Sequence, residues 1–93
     1  MEFEWNEEKA ISNKHKHGIS FELVALMVRG APLIYQKQVR RGEHRLCLVG
    51  ALLDGTVLTA IVTVRGRCVR IISGRKAHKK ERGFYYDYQE NIS

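Results

Sequence analysis

Eight cations crowd one short segment, VRGRCVRIISGRKAHKKER at residues 64–82: Arg65, Arg67, Arg70, Arg75, Lys76, Lys79, Lys80 and Arg82. A single acid, Glu81, lies among them. Such a concentration of charge draws polyanions, and a nucleic-acid backbone is the most abundant of these. Arginine matches phosphate because its planar fork donates two parallel hydrogen bonds. If the polymer is RNA, it brings its own nucleophile, the 2′-hydroxyl. A protein then has three tasks: deprotonate that hydroxyl, steady the phosphorane with cations, and protonate the leaving 5′-oxygen. Arg, Lys, Tyr, His and Glu suffice for these tasks without a metal. Arg75, Lys76, Glu81, Arg82 and Tyr85 supply such a set at one strand–helix junction, and Arg65 and Arg70 fall on neighbouring sheet positions. By composition alone, a solvated basic face or a plain RNA-binding domain fits equally well.

Glu81 is the odd residue in that set. It shares a helical stripe with Ala77, Phe84, Tyr85 and Tyr88, and a carboxylate facing a small core needs a partner. Arg70 and Arg75 are the candidates. The pair either locks the helix in place, or orients a catalytic arginine, or moves a proton; these readings are compatible. Tyr85 lies one turn further on, and its high pKa suits an acid better than a base. Arg75 precedes a helix start, where anions are favoured.

Other chemistries lack a setting. His15 and His17 are two apart and face different sides of a helix. His44 and His78 stand alone. Neither Gly74 nor Gly83 belongs to a phosphate-cradling loop. There is no CxxC or His/Cys ligand spacing, so neither metal nor cofactor is expected. Cys47 and Cys68 fall in strand-like runs. If consecutive strands pair, these thiols are about 9–10 Å apart, beyond the roughly 7 Å reach of a disulfide. They read as core thiols of a reducing, cytoplasmic protein. No apolar run approaches a membrane span, and the acidic start MEFEWNEEKA is not a signal peptide.

Charge divides the chain. Residues 1–39 carry five Lys/Arg and five Asp/Glu, while residues 40–93 carry eleven and five and hold the whole net charge of +6. At 93 residues the chain reads as a single domain, 1–93, whose small core leans on a partner.

The elements that must position the cations follow from local signals. Phe3–Trp5 alternates as a short edge strand. Asn6 caps a helix from about Glu7 to His17, stopped by Gly18. Ser20 caps a second, well-buried helix over Phe21–Val28, with Ile19 and Val24 as a hydrophobic staple. Gly30-Ala31-Pro32 ends it, and Leu33–Tyr35 reads as another short strand. Three strong strands follow at Arg45–Leu53, Thr56–Val64 and Cys68–Ser73. Asp54-Gly55 reads as a type I′ turn between the first two, and Arg65-Gly66-Arg67 as a second hairpin. The last helix is expected over 77–90. The sum is an α+β domain: a small antiparallel meander of about residues 45–73, two N-terminal helices and one C-terminal helix.

Two motifs carry a resemblance over most of the chain, about Phe3 to Tyr85. One is Trp5-Asn6-x-x-Lys9 with Asn13, then Lys16-His17-Gly18-Ile19-Ser20-Phe21-Glu22. The other is Arg70-Ile71-Ile72-Ser73-Gly74-Arg75-Lys76-Ala77 with Glu81-Arg82 and Tyr85. Glu43, Arg45, Thr63 and Arg65 lie between them. Together they resemble the BrnT family of type II toxins, in the RelE-like superfamily of small ribonucleases. The resemblance implies a RelE-like fold, RNA cleavage that slows growth, and a BrnA-type ribbon-helix-helix antitoxin that carries the pair to operator DNA. It implies catalytic roles for Arg65, Arg70, Arg75, Glu81 and Tyr85. RNA contacts fall to Lys16, His17, Lys76, Lys79 and Arg82, and Glu43 is a further matching position. Asn6 stands where the family typically has Asp, Gly74 where Ala is usual, and Arg29-Gly30-Ala31-Pro32 lacks the usual acids. Gly74 is expected to loosen the strand beside Arg75. That leaves a second reading, an inactive homologue that serves as a co-repressor of a DNA-binding antitoxin.

Overall fold

The computed structural model describes residues 1–92. The order is β1 (Glu2–Glu4), α1 (Glu7–His17), α2 (Phe21–Arg29), β2 (Leu33–Arg40), β3 (Glu43–Ala51), β4 (Val57–Arg65), β5 (Cys68–Lys76) and α3 (Lys79–Ile92). The strands form one sheet ordered β1-β5-β4-β3-β2. β2 to β5 are an antiparallel meander, whereas β1 pairs parallel to β5, with Glu2 opposite Cys68 and Glu4 opposite Arg70. The sheet is therefore mixed, not purely antiparallel as expected. The first strand reaches β5 at the far end of the meander, and the alternation of three residues carries no information about direction.

Both N-terminal helices form where their caps place them. The Asn6 side chain accepts from the Lys9 N–H at 3.0 Å, and Ser20 Oγ accepts from the Leu23 N–H at 3.2 Å. Gly18 ends α1 at φ 73°. On one sheet face Phe21, Val24, Met27 and Val28 of α2 close over Leu48, Leu58, Ala60, Val62, Val69 and Ile71. α2 is less buried than its composition predicts, for Leu26 is exposed.

The hairpins differ from expectation. β2 runs for eight residues, and its turn to β3 is Arg41-Gly42, both at positive φ (52° and 78°), the signature of type I′. Asp54-Gly55 is not such a turn. The Gly55 N–H donates to the Leu52 carbonyl and the Leu52 N–H to the Thr56 carbonyl, and Gly55 alone has positive φ. The loop thus needs one left-handed residue where type I′ needs two. Asp54 accepts from the Thr56 N–H at 2.9 Å, which holds its carboxyl below the usual range. Arg65 pairs with Cys68 across the two-residue turn Gly66-Arg67.

α3 begins at Lys79, not Ala77, and extends to Ile92. Ala77, Val49 and Val57 make a second small core on the other sheet face, with Tyr35, Ala51 and Tyr85 against it. Phe84 meets Tyr35 edge-on with ring centroids 5.1 Å apart, whereas Tyr88, expected on the same buried stripe, is 46% exposed. α3 outruns the sheet, so its stripe finds apolar surface only along its first half.

Gly74 is not loose. Its N–H donates to Asn13 Oδ1 at 3.1 Å and its carbonyl accepts from Asn13 Nδ2 at 2.8 Å; the same Nδ2 donates to the Ile19 carbonyl at 3.0 Å. A side chain of α1 thereby pairs with the open edge of β5, beyond the reach of β1. A Cβ at Gly74 would stand 2.3 Å from Val24 Cγ2, so glycine here admits close approach of α2. The strand beside Arg75 is pinned, contrary to expectation.

Candidate nucleic-acid interface

Cross-strand register puts the cationic side chains on the face away from α1 and α2. Thr59 opposes Arg75, Thr63 opposes Arg70, and Arg65 opposes Cys68. α3 packs on the β2–β3 side of this face, around Val49 and Val57, and leaves the end bearing Arg65, Glu43 and Arg45 clear.

Arg75 is the most constrained of these cations. Its Nη1 donates to Glu81 Oε1 at 2.7 Å and its Nη2 to Glu81 Oε2 at 2.9 Å. Nη1 also reaches the Lys76 carbonyl at 3.3 Å. Glu81 is 7% exposed and accepts two further bonds at Oε1, from Thr59 Oγ1 at 2.9 Å and the His78 N–H at 2.6 Å. His78 is the N-cap of α3 and Glu81 its third residue, so the carboxylate closes half of a capping box. The helix start is therefore filled by Glu81 and not left for phosphate, as the sequence had suggested. The guanidinium beside it, reinforced by the His78 N–H and the Thr59 hydroxyl, holds the Glu81 carboxyl at about 2 against burial, which pushes the other way. Glu81 in turn raises the Arg75 pKa. With Oε1 accepting three bonds and Oε2 one, the carboxylate fixes the end-on fork of Arg75 in place.

This geometry leaves one edge of Arg75 without a hydrogen-bond partner among the described residues. The end-on fork faces Glu81, and the side-on edge, Nε–H with the outer N–H of Nη2, donates to nothing among the described residues. The side chain is 30% exposed. That edge is the second of the two bidentate faces a guanidinium offers to a phosphate.

The other predicted residues fall into separate groups. Arg70 Nη1 lies 3.5 Å from Glu4 Oε2 of β1. Arg65 Nη2 and Arg45 Nε both donate to Glu43, each at 3.1 Å. Their guanidinium groups hold the Glu43 carboxyl below its usual range, Arg65 foremost. Four β4 positions separate the Arg70 row from the Arg75 row, and six separate Arg65; at a strand rise these are about 13 and 20 Å. Arg65 and Arg75 thus do not meet at one phosphate. Tyr85 rests on the second core with its ring edge-on to Tyr86 at 5.9 Å. Lys16 and His17 line a hollow with Lys9, Asn13 and Ser73 at the β5 edge. Lys76 and Lys79 are exposed, and Arg82 Nη1 donates to the Ala77 carbonyl at 2.6 Å. Cys47 and Cys68 are free thiols on β3 and β5 with β4 between them. Thr59 is the member of the site that sequence reading missed; only its place opposite Arg75 marks it.

A model of the ribonuclease toxin BrnT, of type II toxin–antitoxin systems, matches residues 5–81. The chain belongs to the BrnT family. The matched span ends at Glu81 and so takes in both the clamp and the arginine rows. The crystal structure of the Brucella abortus ribonuclease toxin BrnT shares the fold, with a TM-score of 0.67 at 22% identity, over 85% of this chain and 99% of that one. Among curated proteins no match was found. Membership makes this a chain of a type II toxin–antitoxin toxin family, and no helix among the described residues is long and apolar enough to cross a membrane.

The clamp has a pH signature. The Glu81 pKa is about 2 in the folded chain against an ordinary 4.5, so the folded state binds the proton less well than the unfolded. The clamp's contribution is complete above about pH 4.5, and it is lost as pH falls toward 2. Urea melts at pH 7, 4 and 2 should show that loss, on the order of 2–3 kcal/mol. A Glu81→Gln variant should have lower stability at pH 7 and a flatter profile. A profile as steep as the parent's would assign the acid sensitivity to other carboxylates.

Proposed function

We propose that this BrnT-family chain is an endoribonuclease toxin of RelE-like type that cuts RNA by attack of the RNA's own 2′-hydroxyl, with Arg75 as the fixed cation at the scissile phosphate. The observation that supports this reading is the unpaired side-on edge of a guanidinium already immobilised by Glu81. A cation set in place before the substrate arrives stabilises developing charge without reorganising. Glu81 and Thr59 act as positioning residues. Arg70, about 13 Å along the sheet, meets a neighbouring phosphate as a second cation. Water takes the proton of the attacking 2′-hydroxyl, and Tyr85 supplies one to the leaving 5′-oxygen. Lys16, His17, Lys76, Lys79 and Arg82 hold the flanking strand of RNA. No step requires a metal or cofactor.

The partner is a BrnA-type ribbon-helix-helix antitoxin in the same cytoplasm, whose acidic or amphipathic segment covers the Arg65–Arg82 region and excludes RNA. Operator DNA is reached through that antitoxin. The test is expression in a bacterium, alone and with the adjacent reading frame. Growth arrest with RNA cleavage, relieved by the neighbour, is the expected result. A chain that neither arrests growth nor cleaves naked RNA or ribosome-bound message would instead be the non-catalytic co-repressor.

A further inference from the structure

The β2–β3 hairpin ends in a second concentration of charge that the Arg75 clamp does not use. Arg40 and Arg41 line one hollow with Glu43 and Arg45, and Arg65 reaches the same carboxylate from β4. Four cations therefore surround one acid. Arg45 and Arg65 are the two that Glu43 engages; Arg40 and Arg41 have no ion pair among the described residues. Arg41 is also the one non-glycine described residue at positive φ. The type I′ turn requires that conformation of its first central residue, and arginine, with a Cβ and no short polar group to bond locally, is an uncommon choice for it. The Glu43 carboxylate, gripped by two guanidinium groups at 3.1 Å each, sits where a phosphate would be gripped.

We infer that the Arg40–Arg41–Arg45–Arg65 cluster is a second phosphate seat for single-stranded RNA, and that Glu43 is a built-in competitor that occupies the seat when RNA is absent. This rests on the reading of the sheet face as the RNA site and extends it. The seat lies about 20 Å along β4 from the Arg75 row, which is more than one nucleotide can span. It lies within the roughly 4–16-nucleotide footprints of grooves that track a single strand. RNA that bridges both seats gains affinity over RNA that fills one. Because every contact is to phosphate, the gain depends on length and salt and not on base sequence. Neutralising Glu43 removes a competitor that RNA must otherwise displace, so affinity rises.

The test is fluorescence anisotropy with uncleavable 2′-O-methyl oligonucleotides of two and eight nucleotides, on the full chain, in low and moderate salt. The parent should bind the octamer more tightly than the dimer. Glu43→Gln should bind the octamer about threefold to tenfold more tightly, with a steeper salt dependence. An Arg40→Ser/Arg41→Gly variant, whose glycine suits the left-handed position, should weaken octamer binding and leave the dimer unaffected. Thermal melts check that both variants fold. Equal affinity for both lengths, no binding of either, or weaker binding by Glu43→Gln would overturn the inference. So would variants that shift the affinity of a glutamate decapeptide alone, since the cluster would then be a seat for an acidic partner. Cleavage separates the two readings. Normal ribonuclease activity with no length effect removes the second seat and keeps the enzyme. Length-dependent binding that responds to Glu43, without cleavage, keeps the seat and removes the enzyme.

Discussion

Replacing Arg75 and Glu81 together by glutamine should lower ribonuclease activity by roughly 10²–10³-fold in a protein that still folds. The double change is chosen because the two residues are one unit. The Glu81 carboxylate is buried and binds both terminal nitrogens of Arg75 at 2.7 and 2.9 Å. Arg75→Ala alone strands that charge, with only Thr59 and the His78 N–H left to it. Breaking a buried pair from one side costs about 3–5 kcal/mol, a large share of the roughly 5–15 kcal/mol that holds a small domain together. An alanine variant that failed to arrest growth would therefore confound lost chemistry with lost protein. The double substitution removes both charges and keeps amide groups of similar size, and the amide carbonyl introduced by Glu81→Gln still offers an acceptor to Thr59 and His78. Initial rates on RNA, with a thermal melt of each variant, make the comparison. A double variant as active as the parent would remove Arg75 from the mechanism. A single Arg75→Ala variant that melts with the parent would show that the clamp is not structural.

Gly74→Ala should destabilise the fold by about 1–3 kcal/mol, and Val24→Ala should restore part of that loss. The new methyl group would meet Val24 Cγ2 at 2.3 Å, well inside van der Waals contact. Retreat is difficult, because Asn13 holds the Gly74 backbone at both N–H and C=O. Val24 is fully buried, so its side chain can turn away only against close-packed neighbours. Shortening Val24 vacates the position of the clash, so the two substitutions should couple favourably in a double-mutant cycle on chemical denaturation. If the two penalties simply add to within about 0.5 kcal/mol, Val24 is not the obstacle. The glycine beside Arg75 is on this view a packing requirement of α2.

Local physics made part of this molecule legible from its residues. Asn6, Ser20 and Gly18 act over three or four residues, so α1 and the start of α2 fall where their caps put them. Near-continuous apolar, β-branched runs mark β3, β4 and β5, and with consecutive pairing they keep Cys47 and Cys68 on strands with β4 between them. The need of Glu81 for a cation also follows from its place in an apolar stripe. The choice of that cation does not. Arg70 and Arg75 are equivalent in sequence, and only the β4–β5 register, which puts Thr59 across from Arg75, brings Arg75 to Glu81 and leaves Arg70 to Glu4. The parallel pairing of β1 is likewise an outcome of long-range pairing, and the length of β2 follows from its partner β3. A strand's own residues record which side is apolar; its neighbour, its direction and its register are properties of the assembled sheet. So the arginines can be counted along the chain, but their division into a clamp, a pair with Glu4 and a cluster at Glu43 exists only once five strands lie side by side.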